Sequence, residues 1–311
     1  MTFAFVFPGQ GSQSVGMLDK VAAHPAVRDT LQEASDALSQ DMAALIAQGP
    51  AEQLNLTTNT QPVMLTAGVA LYRLWLAEDG RQPDRVAGHS LGEYTALVAA
   101  GSLTLAEALP LVRFRAQAMQ EAVPVGTGGM AAVLGLDDAA VRAGCAQASE
   151  ESGEAVEAVN FNAPGQVVIA GTQAAVARAC EVLKAAGAKR ALPLPVSAPF
   201  HSSLLQPAAD RLREYLRGVA LRVPQIPLVN NVDVATPADP EAIRDALARQ
   251  ACRPVRWVEC IQALAAAGCA TVVECGPGKV LQGLTRRIDP QVKSLSLDDL
   301  SGVASIQEAL A

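Results

Sequence analysis

The first apolar run of the chain, Phe3–Phe7, contains no polar residue and stops at Pro8-Gly9, which predicts a short strand buried on both faces. From about Met17 to Trp75 the pattern turns mostly helical, with Gly49-Pro50 and Gln61-Pro62 as expected breaks. Val86-Ala87 closes a second short strand, and Gly88–Gly92 turns into a helix predicted over Glu93–Ala100. A further helix is predicted over Leu105–Glu121, where Leu105, Leu109, Val112, Ala116 and Met119 form one apolar stripe.

Beyond Gly126-Thr-Gly-Gly129, which reads as a flexible joint, the pattern changes. It predicts a strand at Met130–Leu136, a helix at Asp137–Ser149 and strands at Ala155–Asn160 and Gln166–Ala170. A helix at Gln173–Ala186 and a strand at Lys189–Leu194 complete a βαββαβ order, the ferredoxin-like arrangement. After Pro195 the earlier pattern resumes with a helix at Ser202–Arg217, a strand at Ile226–Val229 and helices at Pro240–Gln250 and Trp257–Ala267. The strand Ala270–Glu274 and the helix Val280–Arg287 follow. The expectation is one parallel α/β core, residues 1–125 and 196–311, interrupted by a small domain at residues 126–195.

Composition agrees with helices packed on a sheet, since half the residues are hydrophobic but only 4% are aromatic. A net charge of −7 argues against a general nucleic-acid binder, because little would neutralise a phosphate backbone. Six cysteines show neither a CxxC pair nor a histidine at metal-ligand spacing, so free thiols and no metal site are expected. The N-terminus has no basic segment ahead of its apolar run, and the richest apolar stretch, Pro62–Leu76, carries Arg73. A cytoplasmic protein that does not cross a membrane is the expectation.

Gly88-His-Ser-Leu-Gly92 fits G-x-S-x-G between a strand and a helix, the setting in which flanking glycines allow a tight turn that exposes the Ser90 hydroxyl. A serine at neutral pH needs a base, and the chain has three histidines. His24 reads as a surface residue at a helix start, and His89 is turned away from its neighbour on the elbow. His201, behind the rigid approach Ser197–Phe200, remains as the base. No acidic third member is evident, so a backbone or amide carbonyl is expected to orient the imidazole. The N–H of Leu91, and that of Gln10 in the loop after the first strand, are placed to stabilise an oxyanion. That loop fails the dinucleotide pattern, because Ser14 stands where a third glycine is needed. Arg113 and Arg115 flank the apolar stripe on opposite sides, and periodicity leaves open which of them points inward.

These residues resemble a known family. Phe7–Gln13 (FPGQGSQ), Ala87–Tyr94 (AGHSLGEY), Asn160–Gln166, Pro193–Ser197, Asn230–Asp233 and Glu274–Gly278 look like the malonyl-CoA:acyl carrier protein transacylases of bacterial type II fatty acid synthesis. The matches run in order over nearly the whole chain. The resemblance implies an α/β-hydrolase-like large domain, a ferredoxin-like small domain and an active site in the groove between them. It implies Ser90 as nucleophile, His201 as base, Gln250 as the residue whose carbonyl orients the histidine, and Gln10 and Leu91 as the oxyanion hole. Arg115 matches the arginine that binds the malonyl carboxylate, and Asn162 a position near the same groove. Phe200 stands where some relatives carry a smaller residue, and is expected to favour malonyl over methylmalonyl groups. The implied substrates are malonyl-CoA and acyl carrier protein, with no cofactor, in a monomeric enzyme. A serine hydrolase or thioesterase is the alternative enzyme, and an acyl-binding scaffold with a dead site the alternative without catalysis.

Overall fold

The computed structural model describes residues 2–196 and 198–311; Met1, and Ser197 at the end of the Pro193–Ser197 motif, lie outside the described residues. Strand β1 (Phe3–Phe7) is buried along its whole length. Helices α1 (Pro25–Leu38), α2 (Met42–Gln48), α3 (Ala51–Leu54) and α4 (Thr57–Glu78) follow. His24 is a half-buried cap rather than a surface residue: its Nδ1 accepts the Ala26 N–H at 3.2 Å, and its Nε2 meets Glu78 at 3.1 Å. The Gly49-Pro50 step separates α2 from α3, but Gln61-Pro62 breaks nothing. Pro62 lies in the second turn of α4, where it forfeits a single backbone bond, and burial of the whole stretch Thr60–Tyr72 holds the helix together.

Strand β2 (Arg85–Gly88) runs into α5 (Gly92–Ala99), and α6 (Leu105–Glu121) begins at a capping box formed by Thr104 and Glu107. Next come β3 (Gly128–Leu134), α7 (Asp138–Ser152), β4 (Val156–Ala163), β5 (Gln166–Thr172), α8 (Gln173–Ala185) and β6 (Arg190–Pro193). The predicted joint is therefore partly strand, since Gly128 and Gly129 open β3.

The remaining elements are α9 (Gln206–Leu216), β7 (Leu228–Val229), α10 (Pro240–Gln250), α11 (Trp257–Ala266), β8 (Thr271–Cys275), α12 (Val280–Ile288), β9 (Lys293–Leu297) and α13 (Leu300–Leu310). The predicted helix at Ser202–Arg217 is shorter, because one 3-10 turn at Ser203–Leu205 precedes α9 and its early proline. Two elements lie beyond the last predicted one. β9 reads Lys-Ser-Leu-Ser-Leu, a half-polar edge strand whose pairing with β8 supplies what its own pattern lacks.

Five strands form a parallel sheet in the order β7-β2-β1-β8-β9, and four form an antiparallel sheet in the order β4-β5-β3-β6. Side chains of β1 alternate between two layers. Phe3, Phe5 and Phe7 pack with Tyr72 and Trp75 of α4, and the Phe5 and Trp75 rings lie 5.6 Å apart. Ala4 and Val6 face Trp257, Leu264 and Leu281 of α11 and α12. Helices α7 and α8 cover one face of the antiparallel sheet. Its other face presents Met130, Val159, Val168 and Ala170 to Leu194, Val196 and Phe200.

The two sheets are tied across the intervening cleft. Phe161 N–H donates to the Val255 carbonyl at 3.0 Å, and Val255 N–H donates to the Val159 carbonyl at 2.8 Å. Ser203 N–H donates to Glu157 at 3.0 Å, and Arg287 donates to the Pro164 carbonyl at 3.0 Å. Among the described residues no helix is long and apolar enough to cross a membrane.

Candidate active site

Strands β1 and β2 are parallel neighbours, with Phe7 in register with Gly88, so the loops leaving their carboxyl ends start side by side. A side chain is excluded at Gly92, where a Cβ would lie 2.0 Å from the Phe7 carbonyl oxygen, and at Gly88, where it would meet the Gly92 backbone at 1.9 Å. This close approach forces the elbow. Ser90 takes φ 52, a left-handed conformation rare for a residue with a side chain, and its hydroxyl faces the cleft.

Across the cleft stands His201, also left-handed at φ 65. Its Nε2 lies 2.7 Å from Ser90 Oγ, and its Nδ1 lies 2.8 Å from the Gln250 carbonyl oxygen. A carbonyl can only accept, so the ring proton sits on Nδ1 and the Nε2 lone pair faces the serine hydroxyl. Burial, and next the nearby charge of Arg115, push the pKa of His201 down to about 3. The imidazole is therefore a neutral base at any physiological pH.

Arg115 is the inward arginine of α6, at 2% exposure. One of its terminal nitrogens donates to Gln61 Oε1 at 2.8 Å, and the other to Gln250 Oε1 at 3.0 Å and to Ser90 Oγ at 3.2 Å. Its Nε has no hydrogen-bond partner, and among the described residues no carboxylate forms an ion pair with it. Arg113 points elsewhere and donates to Gln40. The guanidinium is thus buried among neutral acceptors, 3.2 Å from the Ser90 hydroxyl, a setting in which an added anion would be stabilised.

Leu91 is buried and Gln10 exposed at the cleft, and among the described residues neither N–H donates to a protein acceptor. The Ser90 N–H is taken by Asn231 Oδ1 at 2.8 Å. The cleft encloses about 790 Å³. Met119, Met130, Leu194, Val196 and Phe200 give it an apolar wall beside Ser90, Arg115 and His201. Phe200 thus reaches the cleft. Asn162 does not line it: its Oδ1 lies 2.8 Å from Nε2 of His89, a ring that also packs edge-on against Trp257. Asn160 takes the lining position instead.

Three contributors escape sequence reasoning. Gln61 reads with Pro62 as a break in the sequence, although a polar residue opening the apolar run Pro62–Leu76 is a signal in itself. Asn231 and Glu93 lie inside quoted motifs, yet only the folded chain shows what they hold.

The acyl transferase domain family matches residues 4–298. A malonyl CoA-acyl carrier protein transacylase of Escherichia coli (strain K12) is 54% identical over 307 residues, which span 98% of this chain and 99% of that protein. Among solved structures, an acyl-carrier-protein S-malonyltransferase from Burkholderia pseudomallei 1710b superposes with a TM-score of 0.97 at 66% identity, covering 99% of this chain and 100% of that one. A malonyl-transacylase in complex with a type II polyketide synthase acyl-carrier protein superposes with a TM-score of 0.97 at 49% identity, over 99% of this chain and 100% of that one.

The depressed pKa of His201 has a measurable sign. The ring gains its proton only near pH 3, so the base stays neutral as pH falls through the ordinary histidine range. Modification of Ser90 by a fluorophosphonate should stay within about threefold between pH 7 and pH 5. An unperturbed histidine would lose roughly 30-fold over that span. A decline of that size would show that the imidazole titrates normally.

Proposed function

Since the chain belongs to the malonyl-CoA:acyl carrier protein transacylase family, we propose that it moves a malonyl group from coenzyme A to the phosphopantetheine thiol of acyl carrier protein through a malonyl-Ser90 intermediate. The observation that carries this reading is the position of Arg115, a buried cation lacking a carboxylate and 3.2 Å from the nucleophile. A malonyl thioester brings a carboxylate three atoms from its reacting carbonyl carbon, counted to an oxygen. It therefore completes the ion pair and presents the carbonyl to Ser90 in one act.

The geometry supports the following mechanism. His201 Nε2 removes the Ser90 proton as Oγ attacks the thioester carbonyl. The tetrahedral oxyanion is held by the N–H groups of Gln10 and Leu91. As the C–S bond breaks, the imidazolium returns its proton to the departing thiolate, and coenzyme A leaves. In the second half the carrier's thiol gives its proton to His201 and attacks the malonyl-Ser90 ester, and Ser90 leaves with the proton. The Gln250 carbonyl keeps the imidazole in the required tautomer throughout. All of this runs on side chains and main-chain groups, with malonyl-CoA as a substrate and no cofactor.

The finer fold reading belongs with this function. The parallel sheet supports an α/β-hydrolase-like large domain, residues 1–125 and 196–311. The βαββαβ chain order, with sheet order β4-β5-β3-β6, supports a ferredoxin-like small domain at 126–195. We read the enzyme as a cytoplasmic monomer of fatty acid biosynthesis, a state that sedimentation would test directly.

Mixing the enzyme with malonyl-CoA should add one malonyl group to the intact mass. Ser90→Ala should add none, and an adduct on that variant would remove Ser90 from the nucleophile's role. A charge-assisted bidentate pair contributes about 1.5–3 kcal/mol. Arg115→Ala should therefore narrow the malonyl-over-acetyl loading ratio roughly tenfold to hundredfold, while Arg113→Ala leaves it unchanged. The opposite result would place the carboxylate elsewhere. Phe200 in the cleft wall leaves little room for an α-methyl branch, a difference that usually discriminates by about 1–3 kcal/mol. Phe200→Ser should raise methylmalonyl loading relative to malonyl. Equal loading of both thioesters by the wild type would show that Phe200 is no gate.

A further inference from the structure

The transfer chemistry leaves a buried carboxyl group beneath the site without a task. Glu93 lies in the first turn of α5, three residues after the nucleophile, at 2% exposure. Its Oε2 accepts the Asn231 N–H at 2.9 Å and Gln250 Nε2 at 3.0 Å. Both donors belong to residues that hold the reacting groups. Asn231 Oδ1 accepts the Ser90 N–H at 2.8 Å, and Gln250 Nε2 also donates to the Ser90 carbonyl at 3.0 Å. The other end of the same amide, Gln250 Oε1, accepts from Arg115 at 3.0 Å, while the Gln250 main chain accepts from His201 at 2.8 Å.

A primary amide has a donor end and an acceptor end. Turned over, that of Gln250 would set its NH₂ against the Arg115 guanidinium and its oxygen against the Glu93 carboxylate, like against like at both ends. We propose that Glu93 is a positioning residue for acyl transfer, fixing the orientation of Gln250 and so setting the Arg115 fork, the Ser90 turn and the seat of His201 together. The inference rests on the transacylase reading of the site.

Placement, rather than negative charge, is what this arrangement uses. Burial raises the pKa of Glu93 to about 7 against the pull of the Asn231 N–H, the Gln250 amide and the Arg115 charge. Tyr94, Cys260 and Asp233 are the other ionisable groups facing it. An acceptor oxygen is present in both protonation states, so the anchor survives where the charge is lost.

Two conservative variants separate these roles. Glu93→Gln keeps an oxygen at the same reach without charge, and Glu93→Asp keeps the charge but withdraws the oxygen by about one bond length. The measured quantities are the rate of malonyl-enzyme formation, the rate of Ser90 modification by a fluorophosphonate, and the thermal midpoint, all on the full chain. We expect Glu93→Gln within about threefold of wild type and Glu93→Asp slower by roughly tenfold or more in both reactions. Glu93→Asp should add less than about twofold to the loss in Gln250→Ala, because the effect passes through that amide.

Two results would overturn the proposal: Glu93→Gln slower than Glu93→Asp, or losses that multiply fully in the double variant. A fall in thermal midpoint without a fall in either rate would leave Glu93 a purely structural group and also overturn it. Wild type that reacts with the fluorophosphonate but takes no malonyl group would fail the transacylase reading alone, since the order of the variants is still read from the fluorophosphonate.

Discussion

A guanidinium held out of water with no carboxylate in ion-pair contact among the described residues is the constraint around which this site is arranged. Moving such an ion from water costs several kcal/mol even after relaxation, and neutral acceptors return only part of that. Arg115 has three of them, Gln61, Gln250 and the Ser90 hydroxyl, and keeps an unpartnered Nε. The rest follows from tolerating this cation. Burial first, and this charge next, keep His201 neutral, and the incomplete pairing supports a ligand that brings an anion of its own. One charge thus bears both on the protonation of the imidazole and on the ligand the proposed site would favour.

The second constraint is conformational. Ser90 and His201 both occupy the left-handed region, each at a cost of about 1–3 kcal/mol that the surroundings must offset. Around Ser90 the offset comes from backbone packed too tightly for any Cβ at Gly88 and Gly92, and from Asn231 holding the Ser90 N–H. Gln250 gathers the remaining contacts. Its main chain serves the base, and the two ends of its amide serve the cation and the elbow, so one residue near the end of α10 registers three groups from separate parts of the chain.

How much of this is legible before folding depends on whether the chemistry is local. The elbow at Ser90 is a five-residue pattern in a strand-to-helix setting, and His201 follows from a short supply of histidines. Both are visible in the residues. Arg115 and Arg113 differ by two positions on opposite flanks of one stripe, so periodicity leaves them equal; resemblance picks Arg115, and packing shows it turned inward. Gln250 acts on the histidine through a carbonyl that every residue possesses, so no side-chain signal marks it; resemblance alone singles it out. The same resemblance points to Asn162, whereas the lining position goes to Asn160, two residues away on the same face of β4. β9 escapes because an edge strand of alternating Ser and Leu carries a weak pattern, and Pro62 misleads because one lost backbone bond is minor in a helix buried as thoroughly as α4.

The place of β1 in the sheet bears on how the chain comes to be folded at all. It is the central strand of the finished sheet, yet the neighbour on one of its sides, β8, is made only after the whole antiparallel sheet. Until then the most apolar strand of the molecule has an unpaired edge, while the antiparallel insertion, whose partners are all close in sequence, can already close on itself. An apolar edge left open over that length of chain is a place where another copy of the same strand could pair.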